Sequence, residues 1–173
     1  MEITQFLIHK NAFKWLAYAL SMLLIAALQT TPHLFPAISG VRPVLLIPFV
    51  IAIAMREGTA VGGVFGALSG LFWDLSGTSL FGFHGLFLMI MGIVVALLVD
   101  FAFHSTWFSS LVFSLIFTAV IELIGWFFID YMVGGQDFVH SFLSIILPST
   151  LYTFAFVFPF YHWVGYLQSR LTE

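Results

Sequence analysis

Four stretches of the chain, residues 12–31, 80–99, 106–129 and 142–166, are almost free of charge. Each is about as long as the ~20 residues a helix needs to cross a hydrocarbon core at 1.5 Å rise per residue. Water cannot be the solvent around such a chain. Only 8% of its residues are charged against 61% hydrophobic, whereas a soluble domain carries roughly a quarter charged. A mean hydropathy of +1.10 agrees. A soluble enzyme, a nucleic-acid binder and a disordered regulator are excluded, and a formal charge of −3 denies a basic groove for phosphates. With no cysteine, disulfides, thiolate metal sites and cysteine nucleophiles are impossible. Residues 1–173 read as a single all-α transmembrane domain.

Between the first two stretches lies 38–73, apolar except for Arg42 and the triplet Arg56-Glu57-Gly58. One long helix would bury Arg56 and Glu57 mid-bilayer, at roughly 2.5 to 3.5 kcal/mol each. A turn at the triplet removes that cost, so the segment divides into 38–55 and 59–74. A six-helix bundle follows, with spans near 12–31, 38–55, 59–74, 80–99, 106–129 and 142–166. The first run follows Lys10 and Lys14 as a signal peptide would, yet it is long and lacks a small-x-small cleavage motif. It reads as a retained span. Lys10, Lys14, Arg56 and Arg170 then fall on one side and only Arg42 on the other. The positive-inside rule places both termini in the cytoplasm.

Two stripes stand out. The third span reads Gly62-x-x-x-Gly66-x-x-x-Gly70-x-x-x-Asp74, a face where another backbone can approach closely. It serves either packing within the chain or docking of a partner's transmembrane helix. The fifth span repeats the spacing with Ser110, Ser114, Thr118 and Glu122. An acid within a span is expected to face the interior or a partner. If both stripes line one cleft, it opens outward at Asp74 and Glu122. Arg56 and Glu57 read as a solvated pair at a hairpin turn. The six histidines lack HxxxH or HExxH spacing, so no metal site is expected. Gly77-Thr78-Ser79-Leu80 matches no serine-nucleophile motif, no P-loop is present, and neither catalytic residues nor a cofactor are expected.

The order Arg56-Glu57-Gly58, Gly66-x-x-x-Gly70-x-x-x-Asp74 and Ser79-Leu80-Phe81-Gly82 resembles the signature region of the rod shape-determining MreD family. Arg42-Pro43-Val44-Leu45-Leu46 is similar to that family's entry into its second span, and Ile145 to Tyr152 to its last span. Thr153 departs from the pattern, where an asparagine is expected. The resemblance implies a non-enzymatic inner-membrane component of the bacterial elongation machinery. Its implied partners, besides the bilayer, are the single-span protein MreC and, with it, MreB, RodA and a transpeptidase. The family also resembles the six-helix S components of energy-coupling-factor transporters. The alternative reading is therefore a vitamin-binding protein with an outward pocket near Glu122 and Asp74.

Overall fold

The computed structural model describes residues 2–31, 34–35, 41–76, 81–102, 104–127 and 138–172, all of the regular structure being helical. The helices are α1 (Glu2–Thr30), α2 (Leu46–Glu57), α3 (Thr59–Ser76), α4 (Phe83–Phe101) and α5 (Trp107–Gly125), then α6 (Phe138–Ser141), a π-helical stretch (Phe142–Ile146) and α7 (Leu147–Thr172). The last three run on as one rod. The loop Val133 to Asp137 and residues 77–80 lie outside the described residues.

By length and hydropathy four segments can cross a membrane: Phe13–Thr30, Phe83–Phe101, Trp107–Gly125 and Val139–Arg170. The remaining pair, α2 and α3, forms a hairpin. Its turn is the single residue Gly58, at φ 86° and ψ −175°, a region only glycine occupies at low cost. The second helix begins at Leu46, not near residue 38. Pro43 has no N–H and pushes Arg42 toward an extended conformation, and residues 42–45 are non-helical. At 12 residues, α2 is about 18 Å long.

That short helix is the centre of the molecule. Every residue from Leu46 to Met55 is buried. A helix apolar all round has to be covered all round, and α2 packs against α1, α3, α4, α5 and α7. Around it, α3 pairs with α4, α5 pairs with α7, and α1 lies against α7 and α3. Phe87 of α4 and Phe117 of α5 meet edge to face at 6.5 Å across the seam between the two pairs.

The π-helical stretch has a local cause. Pro148 lacks the N–H that would bond the Ser144 carbonyl, and its ring crowds that carbonyl. The helix widens ahead of it, and the Leu147 N–H bonds Phe142 O five residues back.

Candidate functional site

The polar groups of this apolar chain gather mainly at the two ends of α2. At its start, the free N–H groups of the first turn find acceptors on other helices. Leu45 N and Leu46 N donate to Gln29 Oε1 of α1 at 2.7 and 3.0 Å. Val44 N donates to Thr153 Oγ1 of α7 at 3.0 Å. Pro48, in the first turn, has no N–H to satisfy. Thr153, where an asparagine is expected, is buried and supplies this acceptor through its hydroxyl.

At the other end, Arg56 and Glu57 diverge. Glu57 turns to α1, where its Oε2 accepts from Lys14 Nζ at 2.8 Å and its Oε1 from Tyr18 OH at 2.9 Å. Both charged side chains are more than nine-tenths buried. Trp15, Tyr18 and Phe65 enclose the pair, with the Lys14 ammonium 4.5 Å from the centre of the Trp15 ring. Arg56 turns to α7. Its guanidinium lies 4.3 Å above the Tyr161 ring and donates to Tyr161 O and Gln168 Oε1, each at 3.4 Å, while Gln168 Nε2 donates back to Arg56 O at 3.3 Å. Gly165 provides the room, since a Cβ there would come within 2.8 Å of the guanidinium. The solvated pair expected from the sequence is therefore replaced by two separate, sheltered contacts. Packing of the hairpin between α1 and α7 separates the two charges, each taking partners on a different helix.

The glycine face is filled by this chain. A Cβ on Gly66 would fall on the Leu88 carbonyl, one on Gly70 on the His84 carbonyl, and one on Gly62 would lie 2.9 Å from the Gly92 carbonyl. Four residues forward on α3 answer four residues back on α4, the register of an antiparallel pair in backbone contact. Asp74 ends the face. Its carboxylate accepts from the backbone N–H groups of Gly82, His84 and Gly85 at 2.9, 3.3 and 3.2 Å, and contacts His84 Nδ1 at 2.6 Å. A carboxylate at a helix N-terminus also meets the positive end of the helix dipole. The His84 ring stacks on Trp73 at 4.2 Å.

Ser110, Ser114 and Thr118 are buried on α5, the helix that packs on α2 and α7, and their hydroxyls meet no partner among the described residues. Glu122 accepts from Ser149 Oγ of α7 at 2.7 Å. The two stripes consequently serve different helix pairs and do not line one cleft. Asp74 is engaged by α4 and Glu122 by α7. A cavity of about 300 Å³ does exist, but between α1 and α7, lined by apolar side chains with Ser21 and Trp163. There Trp163 Nε1 donates to Ser21 Oγ at 3.2 Å.

Sequence reading singled out Asp74, Glu122, Arg56 and Glu57 but missed the groups that bind them. Lys14 reads from sequence as a topogenic charge, and Gln29 carries no local signal of its contact with α2. Ser149 and Thr153, four apart and both buried, repeat the small-polar spacing of α5 and were the legible signal. No curated protein and no solved structure matches the chain. Residues 9–170 match the family model described as rod shape-determining protein MreD.

Proposed function

Because the chain belongs to the rod shape-determining MreD family, it has a role in rod shape determination, and we propose that it acts there as a non-catalytic scaffold of the bacterial cytoplasmic membrane. In this reading both termini are cytoplasmic. The bundle binds the transmembrane helix of an MreC-like partner and brings MreB filaments together with RodA and the elongation transpeptidase.

The observation that carries the proposal is the family match across residues 9–170. The polar chemistry supports it, for Glu57, Arg56, Asp74 and Glu122 each hold one helix to another. What the bundle presents outward is apolar: Leu16, Leu20 and Leu24 of α1 and Phe158 and Trp163 of α7 are among its exposed side chains. With the glycine face occupied by α4, a partner helix meets one of these outer faces.

Purification of the tagged chain from mild detergent, co-expressed with the MreC of the same genome, tests the reading. Stoichiometric recovery of MreC, with loss of rod shape when the chain is depleted, is the expected result. Recovery of a bound vitamin or a transporter ATPase module in place of MreC would overturn it. A reporter fused after Thr172 should be active only in its cytoplasmic form.

A further inference from the structure

The Glu57 end of α2 carries a cation that no carboxylate balances among the described residues. Lys14 and Glu57 neutralise each other. Arg56 forms no ion pair among the described residues. Its acceptors are a backbone carbonyl and a side-chain amide, both at a long 3.4 Å, and its Nε is buried with no partner among the described residues. The guanidinium is nonetheless held in one place, between the Tyr161 ring and the gap left at Gly165. A half-buried, immobilised, uncompensated arginine is arranged for an anion.

Its level in the bundle indicates which anion. Lys14 stands at the start of the apolar segment Phe13–Thr30, and Gln168 near the end of the apolar segment Val139–Arg170. Arg56 contacts Gln168, and its neighbour Glu57 contacts Lys14. The guanidinium is thus at the boundary of the hydrocarbon, where phospholipid phosphates lie. A planar guanidinium donates two parallel hydrogen bonds to a phosphate, and basic pockets between transmembrane helices at this level take anionic headgroups. We infer that Arg56, held between Tyr161 and Gly165 at the Glu57 end of α2, binds the phosphodiester of an anionic phospholipid. The assignment is independent of any protein partner.

Native mass spectrometry of the purified chain, titrated with phosphatidylglycerol or phosphatidylcholine, tests it. The wild-type chain should retain phosphatidylglycerol preferentially. Arg56→Gln should lower that retention about fivefold, the value of one basic side chain near an anionic surface. Arg56→Lys, a point charge without the fork, should fall between them. Arg170→Gln, which removes an exposed arginine near the same end of α7, should lower retention less than Arg56→Gln; an equal loss would make Arg56 one surface charge among several and overturn the assignment. Absence of a phosphatidylglycerol preference in the wild-type chain overturns the assignment without reference to any variant. Equal retention by wild type and a folded Arg56→Gln chain overturns it as well. Displacement of the lipid by inorganic phosphate at equal concentration would assign the site to a free anion, and displacement by an acidic peptide would assign it to a protein; either result removes the headgroup.

Discussion

The α3–α4 pair and the α5–α7 pair are both built on small residues spaced four apart, yet they are held together differently. On α3 the small residue is glycine, so backbone meets backbone and no volume remains to adjust. On α5 it is serine or threonine. There a side-chain bond, Ser149 Oγ to Glu122, ties α7 to α5. The first pair is specified by shape and the second by polarity. Shape is the less forgiving, because a displaced carbonyl moves a whole helix while a lost hydroxyl moves almost nothing.

The comparison breaks most severely where the two pairs are joined, at α2. Lys14→Met leaves the Glu57 carboxylate buried with Tyr18 alone, and removing one member of a buried ion pair costs about 3–5 kcal/mol. The folded fraction after detergent extraction should collapse. The double change Lys14→Met with Glu57→Leu should recover most of it, since a well-packed apolar pair replaces a buried ion pair at little cost.

A single methyl group sharpens the contrast next. Gly66→Ala drives a Cβ into the Leu88 backbone and should cost ~1–3 kcal/mol, as overpacking does, visible as a lower melting temperature. Gly125→Ala, where a Cβ would meet open space, should leave that temperature unchanged. On the polar pair the effect is smaller. Glu122→Leu removes one transmembrane hydrogen bond, worth about 0.6 and at most about 1.7 kcal/mol, and Glu122→Gln should retain most of it. Equal melting of all three proteins would show that the Ser149 contact does not hold the pair. Smallest of all, Ser114→Ala deletes a buried hydroxyl that has no partner among the described residues. Its melting temperature should stay level or rise, because an unsatisfied buried polar group is itself unfavourable.

Sequence periodicity made the glycine face readable because α3 and α4 are neighbours in the chain and the i+4 rule needs no distant information. The turn at Gly58 was readable for a similar reason: two charges beside a glycine cannot rest in lipid. The clasps on α2 were not. Lys14 and Glu57 are 43 residues apart, and Gln168 lies 112 residues from Arg56; nothing local distinguishes a lysine that anchors a helix from one that orients it. The start of α2 was misplaced because hydropathy continues through Val44 and Leu45, although Pro43 disfavours a helical Arg42 and residues 42–45 are non-helical. The partners of Asp74 were hidden in the same way, since backbone N–H groups leave no trace in side-chain chemistry.

Gln29 and Lys14 grip opposite ends of α2 from α1, while Thr153 and Gln168 do the same from α7. On each outer helix the two grips are about 22 Å apart at 1.5 Å per residue, slightly longer than α2 itself. A piston stroke of α2 by even one residue would shorten the contacts at one end and tear those at the other, on both sides together. Rotation about its own axis would swing Arg56 off Tyr161. The central helix is pinned at both ends by both neighbours, so α1, α2 and α7 are tied into one unit.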